Sequence, residues 1–163
     1  MFIISIILIS VLTVIDQILK YVVSNNIDLY EKIEVIKIGA TKIFSLTHVR
    51  NSGAAWSIMS GKTWFLIGLP IIVIIVGFVY LYHISKKSKL LTVSLSILIA
   101  GGIGNLIDRI RFHEVVDYIQ FEPINFPVFN FADICVVIGG IIFCIYFLII
   151  DERKNKKMVK SNE

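Results

Sequence analysis

Charge is scarce in this sequence. Only 17% of the 163 residues are Asp, Glu, Lys or Arg, while 56% are hydrophobic, a balance that fits an ordinary soluble globule poorly. Cysteine is nearly absent, with Cys135 and Cys144 the two in the chain. They stand nine residues apart on one predicted helix, about 13 Å of rise, too far for a mutual disulfide. Neither has a partner at metal-ligand spacing, so both read as small packing residues. The first apolar run lacks a basic leader and is followed by no small-x-small cleavage site, which favours a retained helix over a removed signal peptide. Internal repeats are missing, and so is a Gly-x-Ser-x-Gly elbow. Two of the three prolines fall in FEPINFPVF at 121–129, where they exclude regular helix and the aromatics suit a membrane interface.

What is present is apolar length. Phe2–Val23, Trp64–Tyr82, Leu90–Ile107 and Phe129–Ile150 are each long enough to cross a bilayer, which takes about 20 residues. The fold class expected is an all-α membrane protein of four transmembrane helices with a small exoplasmic β-hairpin or cradle. Residues 1–152 form a single domain and 153–163 a basic cytoplasmic tail. The net charge of +4 is concentrated in that tail and in Lys86, Lys87 and Lys89, between spans two and three. That distribution speaks against nucleic acid as the partner and, by the positive-inside rule, places both clusters and both termini in the cytoplasm. Segments 24–62 and 108–128 then face outward. Ile33, Val35 and Ile38 interleave with Glu34 and Lys37. Beyond a Gly39-Ala40 turn, Phe44, Leu46 and His48 alternate with Ser45, Thr47 and Val49, which predicts a hairpin.

The acids of the bundle share one depth. Asp16 lies 14 residues after Phe2, roughly 21 Å along a helix and past the middle of the core. Lys20, four residues on, shares its face and can pair with it. Asp108 ends span three, Asp133 begins span four, Asn51 precedes span two, and Asp117 lies in the loop between spans three and four. Ser94, Gly101, Asn105 and Asp108 form one stripe on span three, and Gly101, Gly102 and Gly104 permit close helix approach. Asn130, Asp133, Val137, Gly140 and Cys144 form a second stripe on span four. Each acid also has a plainer reading. Asp133 alone suits a helix cap, Asp108 beside Arg109 suits a structural ion pair, and Asp16 with Lys20 is similar. Asp117, among Val115, Val116, Tyr118 and Ile119, is left unexplained by caps and pairs.

Five readings compete for these residues. A Ser/His or Ser/Lys nucleophile would need His48 or Lys20 as base, and an acid one turn away holds Lys20 protonated. HEVVD at 113–117 imitates a zinc helix but has Asp117 in place of the second histidine and sits in a loop. A transporter using Asp16, Asp108 and Asp133 would need acids in the inner half of the bundle, and there are none. A structural subunit would bear shared-face acids as an unforced cost. Paired carboxylates remain: two aspartates at close range share one proton, so one activates water while the other polarises a carbonyl. Asp117 and Asp133 flank one loop and can meet.

The blocks DQILK (16–20), RNSGAAWS (50–57), GGIGNLIDR (101–109), VVDY (115–118) and FNFAD (129–133) occur in the order found in bacterial lipoprotein signal peptidase, signal peptidase II. The chain resembles that aspartyl membrane peptidase family over nearly its whole length. The resemblance implies cleavage of diacylglyceryl-modified prolipoproteins just before the lipidated cysteine, at the outer face of the bacterial cytoplasmic membrane. It implies Asp117 and Asp133 as the catalytic pair. Asn51 and Arg109 would contact substrate, and Asp16, Lys20, Gly53, Asn105, Asp108 and Asn130 would shape or support the site. It implies no metal or cofactor and, with nothing pointing to an oligomer, a monomer in membrane lipid. The hairpin would be the exoplasmic cradle, with residues 53–60 flanking the cleft. His113-Glu114 before VVDY and Trp56 in place of phenylalanine depart from the family pattern without removing a catalytic group.

Overall fold

The structure, a computed structural model, describes residues 1–54 and 58–151; Trp56 and the tail at 153–163 lie outside them. Four long helices carry the bundle: α1 (Phe2–Asn26), α2 (Thr63–Ile84), α3 (Lys89–Phe112) and α4 (Phe131–Ile145), the last continuing as a π-helical segment, Tyr146–Asp151. All four, α4 with its continuation to Leu148, are long and apolar enough to cross a membrane. α3 is the central post. More than half of its apolar length is buried inside the protein, against less than a quarter for the other three, which turn Ile3, Ile7, Ile72, Val76, Val137 and Ile141 outward. Thr92, Ser94 and Ser96 are buried in α3, and each hydroxyl donates back to a carbonyl three or four residues earlier. Polar groups out of reach of water are satisfied in this way.

Glycine sets how closely α4 approaches this post. A Cβ at Gly101 would lie 2.3 Å from the Ala132 carbonyl oxygen, and one at Gly139 would lie 2.7 Å from the Leu98 nitrogen. The α4 seam is therefore Ala132, Cys135 and Gly139, all buried. This corrects the expected stripe through Val137, Gly140 and Cys144. Gly140 meets nothing, Cys144 is exposed, and Val137 lines the cleft described below. The 3-4 spacing was right and the face was wrong by one residue, because adjacent glycines leave the packing side to the neighbouring helix. Gly139→Ala should therefore cost about 1–3 kcal/mol, since the obstructing atoms are backbone. Gly140→Ala should cost nothing, and thermal denaturation of the two variants in detergent separates these outcomes.

The expected hairpin is the first two strands of a three-stranded antiparallel sheet: β1 (Lys32–Ile38), β2 (Thr41–Asn51) and β3 (Val115–Phe121). β3 corrects the assignment of Asp117 to a loop, which the sequence obscured because the strand's pairing partner lies some 70 residues away. β1, the outer edge, is exposed throughout. The other face of the sheet meets the end of α1, where Val23 and Ile27 cluster with Val116 and Tyr118.

One register shift decides the use of this sheet. Leu46 faces Ile119, but Val49 faces Asp117, so β2 carries an extra residue between the two pairs. In the unshifted register His48 would oppose Asp117, and Asn51, three residues on, would point to the opposite face. The bulge puts Asn51 an even number of positions from Val49, on the face of Asp117. It also lets Thr47 and His48, neighbours in sequence, both be buried.

Candidate active site

Asp117 and Asp133 line one cleft of about 540 Å³, with Asn51, Ala54, Asn105, Arg109 and the segment Phe126–Phe129 around them and Ile134, Val136, Val137 and Ile138 along its wall. The chain thus brings together β2, β3, α3, α4 and the loop before α4. Residues 55–57 of the expected flank lie outside the described residues.

Three asparagines from three elements hold the two carboxylates. Asp117 accepts from Asn130 Nδ2 on Oδ1 (2.6 Å) and from Asn51 Nδ2 on Oδ2 (2.9 Å). Asp133 accepts from Asn105 Nδ2 on Oδ1 (2.7 Å) and from the Asn130 backbone N–H on Oδ2 (3.1 Å). Asn130 Oδ1 in turn accepts from the Asp133 N–H, closing a capping box at the start of α4. Asp133 therefore caps α4 and also lines the cleft. One oxygen serves the helix end, and the other faces Asn105.

Asp117 is 3% exposed on β3, outside the spans. Burial first, and then the neighbouring charge of Asp133, push its pKa up to about 7, against the opposing pull of the Asn51 and Asn130 hydrogen bonds. A carboxyl that holds a proton near neutrality beside a second carboxylate is what a shared-proton pair requires. Burial also pushes the Tyr118 hydroxyl above its ordinary value, and that group accepts from the Phe131 N–H.

Beneath the pair lies a buried ionic cluster. Lys20 Nζ donates to Asp16 Oδ2 (2.9 Å), Asp108 Oδ2 (3.2 Å) and Asn105 Oδ1 (3.0 Å). The expected Asp16–Lys20 pair is present. The pairing of Asp108 is corrected: its cation is Lys20, whereas Arg109 donates to the Gly53 carbonyl at 2.9 Å. Adjacent residues on a helix point about 100° apart, so Asp108 faces the bundle and Arg109 the cleft. Gly53 also donates its N–H to Asn51 Oδ1. The chain entering the loop after β2 is thereby tied to the residue that holds Asp117.

The cluster aims α4 as well. The first three N–H groups of α4 meet side chains of three elements: Phe131 to Tyr118 Oη, Ala132 to Asp16 Oδ1 (2.9 Å), and Asp133 to Asn130. A helix start with all its orphan donors bonded cannot fray or rotate cheaply. Asp108 Oδ2 accepts from the Val116 N–H, which places β3 in the same way. Sequence reasoning gave no role to Gln17, yet its amide nitrogen lies 3.1–3.2 Å from Asp16, the Gly104 carbonyl and Asp108. Its place beside Asp16 in a polar interruption of an apolar span was the available signal. The HEVVD string is divided: His113 ends α3 with a left-handed backbone (φ 62°), and Asp117 lies on a strand, so the two do not stand one helical turn apart.

A family model described as signal peptidase (SPase) II matches residues 8–149. The chain belongs to the signal peptidase II family. The chain is 46% identical over 151 residues to the lipoprotein signal peptidase of Enterococcus faecalis, covering 92% of this chain and 91% of that one. It is 40% identical over 153 residues to that of Lactiplantibacillus plantarum, covering 94% and 99%. A solved bacterial membrane enzyme, determined in meso at 2.3 Å, superposes with a TM-score of 0.78 at 34% identity over 93% of this chain and 90% of that one. This signal peptidase II is accordingly an aspartic membrane peptidase, a multi-pass protein of the bacterial cell membrane.

Proposed function

We propose that the protein removes signal peptides from diacylglyceryl-modified prolipoproteins, cutting just before the lipidated cysteine, with Asp117 and Asp133 as the catalytic pair. The observation that carries this reading is two carboxylates held by asparagine amides in a cleft lined on one side by the apolar Ile134, Val136, Val137 and Ile138 of α4. Water enters between the carboxyls, and the ionised member takes a proton from it as it attacks the scissile carbonyl. The protonated member donates to the carbonyl oxygen, giving a neutral tetrahedral diol. In the collapse a proton passes to the departing amine nitrogen, the C–N bond breaks, and the pair regains its single shared proton. Arg109 and Asn51 reach the substrate backbone from the rim, and Asp16, Lys20, Gly53, Asn105, Asp108 and Asn130 keep the pair in place.

Lys86, Lys87 and Lys89 sit at the end of the bundle opposite the sheet. The positive-inside rule makes that end cytoplasmic and the cleft exoplasmic, where an exported precursor arrives. The proposed cycle draws its groups from a single copy of the chain, and the monomer is the proposed working state. Incubation of the purified protein with a diacylglyceryl-modified precursor and its unlipidated form, side by side, should yield cleavage of the first alone and no loss on adding a strong chelator. Equal cleavage of both forms removes the lipid from the proposal, and inhibition by the chelator replaces the carboxylate mechanism.

A further inference from the structure

Two arginines outside the cleft converge on one aromatic ring. Arg50 of β2 and Arg111 of α3 place their guanidinium carbons 5.2 and 4.9 Å from the centre of the Phe112 ring. Among the described residues no carboxylate lies within 4.0 Å of either, Glu114 included. The polar contact of Arg50 is with His48, where Arg50 Nε donates to Nε2 at 3.2 Å while His48 Nδ1 faces the Ile27 carbonyl at 3.0 Å. That arrangement has the imidazole accept on Nε2 and donate from Nδ1, which is its uncharged form, so His48 orients Arg50 without neutralising it. Two positive charges therefore stand together without a counter-ion from the described residues.

The plain explanation covers only half of this. A cation in the last turn of α3 suits the helix C-terminus, which accounts for Arg111. Arg50 is on a strand and is brought to the same ring by the tertiary fold. The position is also the costly one. Phe112 and Ile110, 45% and 55% exposed, end the apolar length of α3, so the arginines sit where the hydrocarbon gives way to headgroups. The lysine-rich link lies at the other end of the bundle, where basic residues are favoured. An anion fixed at headgroup depth answers both observations. Guanidinium forks bind phosphate oxygens bidentately, and an apolar ring beneath them suits the glycerol and upper acyl carbons.

We propose that Arg50, Phe112 and Arg111 form a site for the phosphodiester headgroup of an anionic phospholipid, in the leaflet on the sheet side of the bundle. Arg50 precedes Asn51, which holds Asp117, and Arg111 lies two residues beyond Arg109. A lipid seated there ties β2 to the end of α3 at the edge of the cleft, away from the cleaved bond.

The test reads bound lipid and is independent of cleavage. The protein is reconstituted in phosphatidylcholine nanodiscs containing a minor fraction of phosphatidylglycerol, released, and the lipid retained per protein measured by native mass spectrometry. Wild type should retain phosphatidylglycerol selectively. Arg111→Gln, at a side chain with no hydrogen bond or ion pair among the described residues, should lower retention roughly tenfold, and Arg50→Gln/Arg111→Gln should abolish it. Lys37→Gln/Lys42→Gln, an equal loss of charge on the hairpin, should leave it unchanged, with thermal denaturation confirming that each variant is folded. Equal retention by wild type and the double arginine variant overturns the site, as does an equal loss in the hairpin control. Displacement of the lipid by millimolar inorganic phosphate would reassign it to free anions and overturn the lipid.

Discussion

Asp117→Asn and Asp133→Asn should each lower cleavage of a lipidated precursor by about 10³-fold or more, a loss at or above that usual for removing a general acid or base. The reason is stoichiometric. The proposed cycle uses one proton shared by two carboxyls, and an asparagine can neither accept that proton from water nor return it to the amine. Both variants should still insert and fold, because an asparagine keeps the volume of the residue and an oxygen to accept one amide hydrogen bond. Substantial turnover by either folded variant sinks the assignment. The pH profile supplies a second readout. With Asp117 held at about 7 by burial and by Asp133, the singly protonated pair persists to neutrality, and activity should decline as pH rises beyond it. Stability depends on the same proton. The folded carboxyl binds its proton more tightly than the unfolded one, so stability falls as pH rises from about 4 to about 7, and the cost is fully present above that. Asp117→Asn abolishes this slope. Its melting temperature relative to wild type should therefore rise between pH 5 and pH 8, and a difference independent of pH would count against the shifted carboxyl.

Lys20→Met should be the most destabilising single change in the ionic cluster, at about 3–5 kcal/mol. Lys20 is 3% exposed and serves Asp16, Asp108 and Asn105 at once. Without it two carboxylates face each other in a medium that cannot solvate them. Coulomb repulsion and desolvation then act together, whereas in the native cluster the ammonium offsets both. The damage should reach the site, because Asp16 holds the Ala132 N–H at the head of α4 and Asp108 holds the Val116 N–H at the head of β3. The triple variant Asp16→Asn/Lys20→Met/Asp108→Asn removes the charges together and should recover most of the lost stability, since apolar or neutral replacement of a whole buried cluster is tolerated where removal of one partner is not. Thermal denaturation in detergent measures both. A single variant melting within about 2 °C of wild type would mean that the cluster contributes little.

The sequence and the tertiary structure divide the explanation cleanly. Four apolar lengths, the lysine-rich link and the common depth of Asp16, Asp108 and Asp133 are properties of a chain in a bilayer, where rise per residue turns position into depth. The pairing of Lys20 with Asp16 is equally local, since residues four apart share a helix face. Contacts between elements are another matter. Whether Gly139 or Gly140 faces α3, and whether Asp108 takes Arg109 or Lys20, depends on helix rotation, which the apolar pattern of a lipid-bathed helix barely constrains because both faces are hydrophobic. The third strand and the bulge between Leu46 and Val49 arise from pairing across some 70 residues, and local patterning carries no register over that distance. The sequence by itself determined which residues lie at the level of the cleft. The tertiary structure decided which of them touch: the one-residue shift in β2 turns Asn51 onto the face of Asp117, and the capped start of α4 holds Asp133 in the same cleft.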